Sequence, residues 1–199
     1  MVNIQQFFNH RVKLGEYTMA VMIVSQIVIM ATLTILSWNM RSFSCATPYI
    51  QDLMNTADIL MLSEHRLYES EHYKIEELSK DYSFLSKSSE DLSKHQVTRV
   101  PGHCGITLCW KKTINHKIQP INVKSDRIAM IRVNNCIGNE SLYVIGVYLP
   151  QQGCKIASFD EQLAILEQCI EKYKDKGYVI ALRRVRCHAF LHILLSQKS

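Results

Sequence analysis

Short apolar runs bounded by turn residues recur along the chain, a pattern typical of β-strands. We predict strands over residues 33–38, 58–63, 105–111, 127–133, 142–149 and 178–182. The run at 58–63 has a continuous apolar centre, which favours a strand buried on both faces. Turn residues separate 127–133 from 142–149, so these two strands are expected to pair as an antiparallel hairpin.

Three segments between these runs have the spacing of apolar residues that is typical of helices. A helix over 48–56 follows Thr47 and Pro48, an N-cap residue and a first-turn proline. A weaker helix is expected over 69–79. A capping box at 158–161 opens a third helix that ends near Gly177. The polar stretch 86–104 is expected to be a loop.

The segment from Thr18 to Met40 contains no charged residue. Its part 18–36 is long enough for a membrane-spanning helix, which needs about 20 residues. Polar residues interrupt it, however, and its end alternates like a strand, so we prefer a domain that starts at Met30 after a leader of residues 1–29. No signal-peptide cleavage pattern follows the segment. A membrane anchor over 18–36 stays open as the alternative.

The net charge of +5 comes from the two ends of the chain. Residues 1–29 contribute +1 and residues 183–199 contribute +4, which leaves a balance of zero for 30–182. Overall charge is therefore no argument for nucleic-acid binding.

The seven cysteines are an odd number at scattered spacings, without a Cys-x-x-Cys pair. A disulfide framework needs an even, clustered set, so we expect reduced cysteines without disulfide partners. This usage is typical of an intracellular protein, nuclear or cytoplasmic.

Polar side chains that suit phosphate chemistry follow three of the predicted strands. Glu64 is a candidate Mg²⁺ ligand, because magnesium prefers one or two carboxylates and keeps much of its water. Asn39 can orient the metal's water or a phosphate, and the Tyr148 hydroxyl can donate to a phosphate oxygen. Arg127, at the start of a strand, is a weaker candidate for phosphate binding.

Each of these residues has an ordinary structural explanation when it is considered alone. A glutamate after a strand is usually a solvated surface charge, and an asparagine there is usually a turn residue. A strand tyrosine usually packs with its hydroxyl at the surface. The joint pattern of the three strand ends makes the functional interpretation stronger.

Five segments follow one another along the chain in a characteristic order. They are Ile35-Leu-Ser-Trp-Asn39, Ala57-Asp-Ile-Leu-Met-Leu-Ser-Glu-His65, the strand from Gly105, Val147-Tyr-Leu-Pro150 and Tyr178-Val-Ile-Ala-Leu182. Taken together, this order resembles the endonuclease/exonuclease/phosphatase superfamily, and most of all the endonuclease domain of non-LTR (LINE-type) retrotransposons. The resemblance covers about 33–182. It implies an α/β (α+β) fold, a two-layer β-sandwich with flanking helices, over a partial domain at 30–182.

The same resemblance implies roles for individual residues. Glu64 and Asn39 match the metal-binding positions of the family, and Tyr148 matches its phosphate-binding tyrosine. The implied activity is hydrolysis of a phosphodiester in DNA, with Mg²⁺ or Mn²⁺ as cofactor and DNA as the ancestral partner.

The chain departs from the family after the strand at 178–182. The family continues with Gly-Asp-Phe-Asn, whereas this chain continues with Arg183-Arg-Val-Arg186 and a basic, then apolar, tail over 183–199. The family's later Asp and its Ser-Asp-His triplet have no counterpart before Ser199. The resemblance therefore implies a truncated member with weak activity or none.

Truncation would also leave one sheet without its partner, and we expect self-association or aggregation through the uncovered face. Two alternatives to the nuclease stay open. One is a membrane-anchored or partner-binding module without catalysis, using 18–36. The other is a related phosphatase that acts on phosphoinositides or nucleotides.

Overall fold

The computed structural model describes residues 25–29, 33–88, 105–137, 139–149 and 159–183. These residues form two β-sheets with helices against them. The strands, in chain order, are β1 (Ser25–Ile29), β2 (Leu33–Asn39), β3 (Ile59–Ser63), β4 (Tyr82–Lys87), β5 (Ile106–Lys111), β6 (Ile118–Ile121), β7 (Ile128–Ile137), β8 (Glu140–Val147) and β9 (Gly177–Arg183). The α-helices are α1 (Phe43–Thr56), α2 (Tyr73–Glu76) and α3 (Phe159–Tyr173).

The first sheet has the strand order β1-β2-β3-β5-β4, and the second has β6-β7-β8-β9. Each sheet contains one parallel pair, β2 with β3 and β8 with β9, and all other neighbours are antiparallel. The expected hairpin of β7 and β8 is confirmed. Because parallel strands end at the same edge of a sheet, the residues after β2 and β3 lie side by side.

The inner faces of the two sheets pack on each other. Every second residue of β2, β3 and β5 meets β7, β8 and β9 in one buried cluster, represented by Ile35, Met61, Leu108, Ile131 and Val144. The expected two-layer sandwich is thus confirmed. The expectation that one sheet would lack its partner is wrong for the described residues, because β6 to β9 supply the second layer and cover that face.

The helices cover the outer faces. In α1, Ala46, Ile50 and Met54 pack on Leu36 and Leu60 of the first sheet. Leu166 of α3 packs on the second sheet in the same way. Alternate residues of β2 and β3 therefore face the sandwich and the helix, which explains why β3 is buried along its whole length.

The uncharged segment forms strands where the structure describes it. Residues 25–29, which the sequence places in the leader, are β1, an edge strand antiparallel to β2 with Ser25 opposite Ser37. The interpretation of 18–36 as a spanning helix is therefore wrong for 25–29 and 33–36. In the described part of the chain no helix is long and apolar enough to cross a membrane.

Several local predictions need correction. Helix α1 begins at Phe43, not at Pro48, because Phe43 and Ala46 already pack against the sheet and carry the helix through the proline. The helix expected at 69–79 is a 3₁₀ turn, Glu69–Glu71, followed by the short α2, since Ile75 alone in α2 is fully buried.

Residues 86–87 end strand β4, while 89–104 and the capping residue at 158 lie outside the described residues. Strand β6 was not predicted, because Ile-Gln-Pro-Ile gives no clear alternation and contains a proline.

The sandwich interface should dominate stability. We expect Ile131→Ala to lower the free energy of unfolding by about 2–5 kcal/mol, because Ile131 has no exposed surface and its loss leaves a cavity between the sheets. Ile121→Ala is the matched control, since Ile121 is half-buried on the edge strand β6. Urea unfolding measures both variants, and equal losses would contradict this account of the core.

Candidate functional site

The parallel pairing of β2 and β3 brings two of the predicted site residues together. Asn39 lies opposite Ser63 in the register, and the Met40 N–H donates to the Ser63 carbonyl at 2.9 Å. Glu64 follows Ser63 directly. Asn39 and Glu64 therefore lie at one edge of the first sheet, on neighbouring strands.

Asn39 is half-buried, and its Oδ1 accepts a hydrogen bond from the Arg41 N–H at 2.9 Å. This turn, in which an asparagine side chain bonds the backbone two residues on, fixes the orientation of the amide. Arg41 has φ of 57°, in the left-handed region. The amide that the sequence assigns to metal or phosphate thus has a set direction before any ligand binds.

Glu64 is a buried carboxylate held by both sheets. It is only 6% exposed and has φ of 59°, which is uncommon for a residue other than glycine. Its N–H donates to the Gly105 carbonyl at 2.8 Å. Its Oε1 accepts a hydrogen bond from the Tyr148 hydroxyl at 2.9 Å. A non-glycine residue in this backbone region persists where its surroundings determine it, often at a functional site.

Tyr148 comes from the second sheet. It follows β8, and its own N–H donates to the Arg127 carbonyl at 2.9 Å, just before β7 begins. Its hydroxyl reaches Glu64 at the end of β3, so one side chain links the two sheets at the edge where the candidate residues meet. The sequence prediction placed these residues in one site, and the structure brings them into contact.

Arg127 completes this group. Its Cζ lies 5.9 Å from the centroid of the Tyr148 ring, a cation–π distance. The residue is 4% exposed, and Nε finds no hydrogen-bond partner among the described residues. The Asp126 carboxylate is 3.8 Å from Nε, beyond hydrogen-bond range. A buried cation with an unused donor is suited to an anion that arrives at this edge.

The sequence did not reveal the part that His65 and Gly105 play in the site. His65 has no exposed surface, and its Nδ1 accepts a hydrogen bond from the Leu67 N–H at 3.1 Å. Burial, with the nearby His72, lowers the pKa of His65 to about 4, so the ring is neutral near pH 7.

Gly105 makes room for this ring. A Cβ on Gly105 would lie 2.3 Å from His65 Cε1, and its φ of 92° also favours glycine. A glycine at the start of a strand was the one signal in the sequence, but its partner is far away along the chain.

The donors at this edge fit a hard divalent cation. They are one carboxylate, from Glu64, and the amide oxygen of Asn39, both oxygen ligands of the kind that Mg²⁺ prefers. Over the residues that the structure describes, no three His, Cys, Asp or Glu side chains group as a metal cluster.

No family model matches the sequence, and no curated protein matches it. Solved structures do match. The Neisseria 3′ phosphatase NExo, bound to a product DNA hairpin, superposes with a TM-score of 0.53 at 15% identity, over 76% of this chain and 57% of that chain. The AP endonuclease LMAP from Leishmania major gives 0.53 at 12% identity, over 75% and 54%. D. rerio TDP2, complexed with a single-strand DNA product, gives 0.50 at 15%, over 76% and 59%.

These matches show that the chain has the fold of the endonuclease/exonuclease/phosphatase superfamily. The fold that the sequence resemblance implies is confirmed, while the retrotransposon type stays a prediction. In each comparison the chain spans less than two thirds of the solved protein's length.

The contact of Gly105 with His65 can be tested by a double-mutant cycle. Gly105→Ala alone should lower the free energy of unfolding by more than about 2 kcal/mol, because the new Cβ meets the ring and the backbone is strained. In a His65→Ala background the same change should cost less, since only the strain remains. Urea unfolding of the four proteins measures the coupling. A coupling energy near zero would show that the ring does not depend on this glycine.

Proposed function

We propose that this edge is the metal- and phosphate-binding part of a phosphodiester-hydrolysing site, derived from the DNA endonuclease of a non-LTR retrotransposon. The observation that carries the proposal is the contact of Glu64 with Tyr148 across the two sheets, beside the buried Arg127. The order of sequence motifs supports the retrotransposon type. The superfamily fold supports phosphodiester chemistry in general.

A bound Mg²⁺ or Mn²⁺ would supply charge neutralisation and Lewis-acid polarisation at the phosphoryl group. Glu64 would hold the cation with its carboxylate, and Asn39 would orient the metal's water or the phosphate with its amide. Tyr148 would donate a hydrogen bond from its hydroxyl to a phosphoryl oxygen, in place of its present hydrogen bond to Glu64. Donors fixed before the substrate binds act strongly, because they need no reorganisation during the reaction.

Arg127 would add positive charge next to Tyr148 for the same phosphate. Its guanidinium lies against the Tyr148 ring, and its unused Nε–H makes it a candidate for a direct phosphate contact. A buried positive charge here also offsets the negative charge that a phosphodiester brings to Glu64. This is the phosphate-binding role that the sequence suggested for Arg127.

The chain has no carboxylate where the resemblance places one. Strand β9 is parallel to β8, with Arg183 opposite Val147, so β9 ends at the edge of the sheet that holds Tyr148. Here the sequence reads Arg183-Arg-Val-Arg186 in place of Gly-Asp-Phe-Asn. Loss of a general base commonly costs about 10²–10⁴ in rate. We infer slow turnover or none, with metal and phosphate binding retained.

The proposal predicts a weak, Mg²⁺-dependent nicking of supercoiled plasmid DNA. Glu64→Gln should remove it, and Tyr148→Phe should lower it by about tenfold to a hundredfold, because a donor to the phosphoryl group is lost. Agarose-gel quantification of nicked circles measures the rate. Glu167→Gln on the exposed surface of α3 and Tyr143→Phe within β8 are matched controls that should leave the rate unchanged.

The Glu64 role has a second readout that does not need turnover. The amplitude of the free Mn²⁺ signal in electron paramagnetic resonance reports binding, and Glu64→Gln should weaken that binding at least tenfold. Nicking and Mn²⁺ binding that are both the same in wild-type protein and Glu64→Gln would refute the assignment of this edge.

A further inference from the structure

Two exposed arginines flank the candidate site in matching positions. Arg41 comes two residues after Asn39, and Arg66 comes two residues after Glu64. Both have left-handed backbones, with φ of 57° and 58°. Left-handed residues other than glycine cost about 1–2 kcal/mol each, so two of them at neighbouring strand ends require structural support.

The two turns that carry these arginines are held by the same kind of bond. The Arg41 N–H donates to Asn39 Oδ1, and the Leu67 N–H donates to His65 Nδ1, each spanning two residues. A backbone bond from the Phe43 N–H to the His65 carbonyl, at 3.0 Å, joins one turn to the other. Both arginines are thus fixed in position relative to Glu64, while their side chains reach outward.

Each of these turns carries one exposed positive side chain. Over the described ranges, neither guanidinium forms an ion pair with a carboxylate. Helix α1 begins directly after the turn that carries Arg41. The first helical turn of α1 contains no acidic residue, so the positive end of the helix dipole is not neutralised there. Since the body of the chain carries no net charge, this is a local feature beside the site.

We propose that Arg41 and Arg66 bind the phosphates that flank the reacting one, and that the substrate is therefore a polynucleotide strand. This inference rests on the proposed function, which places the reacting phosphate at Glu64 and Tyr148. Successive phosphates on one DNA strand are about 3.4 Å apart along the helix axis. Two residues of chain span at most about 7 Å, and an arginine side chain extends the reach, so a neighbouring phosphate is within range.

The proposal also separates substrate classes. A nucleotide or a free phosphate would fill the site at Glu64 and Tyr148 and leave the two arginines without a partner. A strand with phosphates on both sides uses both arginines at once, with bidentate bonds of the kind that guanidinium groups make to phosphate.

The test is binding of a fluorescent duplex oligonucleotide to the full chain, by anisotropy, in EDTA and over a range of salt. In the variant Arg41→Gln/Arg66→Gln, the slope of log K against log salt concentration should become smaller by about 2, because each lost phosphate contact removes about 0.9. Affinity at 0.1 M salt should fall at least tenfold. Arg41→Lys/Arg66→Lys should restore most of the slope.

The charge-matched control is Lys112→Gln/Lys117→Gln. Both lysines are exposed in a 3₁₀ turn, Lys112–Lys117, after the end of β5 that pairs with the start of β3, far from Glu64. This variant should leave the slope unchanged. Equal losses in the two double variants would overturn the proposal, because they would show that any two positive charges suffice.

Folding can be separated from binding with Arg41→Gly/Arg66→Gly. Glycine relieves the left-handed backbone, so this variant should unfold at no lower urea concentration than wild type and still bind DNA as weakly as the glutamine variant. Wild-type affinity in this variant would overturn the proposal.

Two further outcomes separate a failure of the arginine proposal from a failure of the proposed catalysis. Because binding is measured in EDTA, an arginine-dependent slope without any nicking would support this inference while the proposed catalysis fails. Competition by a soluble inositol polyphosphate that binds more tightly than the duplex through the same arginines would overturn the polynucleotide assignment.

Discussion

The contact between Tyr148 and Glu64 is the interaction on which the site depends, because it is made by the ends of two different sheets. Its geometry requires the whole sandwich. Strand β3 must end at the same edge of the first sheet as β2. Strand β8 must pack on the inner face of that sheet so that its end lies near the end of β3. The apolar cluster between the sheets sets this distance, and the left-handed backbone at Glu64 turns the carboxylate toward the tyrosine. Core packing thereby determines the position of two polar groups that are 84 residues apart in sequence.

The residues that pack against Glu64 and Tyr148 include a glycine and a neutral histidine as well as a charged arginine. The Gly105 carbonyl accepts a hydrogen bond from the Glu64 N–H, and the missing side chain of Gly105 leaves space for the His65 ring. This ring is neutral because burial lowers the pKa of His65. A charged imidazole beside Glu64 would compete for the carboxylate that we assign to a metal. Arg127 supplies the positive charge instead, from the second sheet. The result is one buried carboxylate, a buried cation against the ring of its tyrosine partner, and two exposed arginines, Arg41 and Arg66, on the turns that follow β2 and β3.

The sequence predicted the strands that carry the site because their residues are apolar on one face or both. Strand β3 is the clearest case, since all five of its residues are buried. The sequence prediction was wrong where packing overrides a local signal. Helix α1 runs through Pro48, and strand β6 was missed because its edge position needs few apolar residues. The match of Gly105 to His65 and the burial of Arg127 were not predictable, because both depend on contacts between segments that only the folded chain brings together. Asn39, Glu64 and Tyr148 could be named as candidates because each follows a predicted strand and because their order along the chain resembles that of the superfamily.

The most direct test of the account is the location of a bound divalent cation. Crystals of the chain soaked in Mn²⁺ should give an anomalous-scattering peak beside the Glu64 carboxylate, on the side of Asn39, and the peak should be absent from crystals of a protein with alanine in place of Glu64. A peak at that place, with the Tyr148 hydroxyl and Arg127 facing it, is the result that the account predicts. Manganese bound only elsewhere on the molecule, with the Glu64 carboxylate still accepting the Tyr148 hydroxyl, would contradict it.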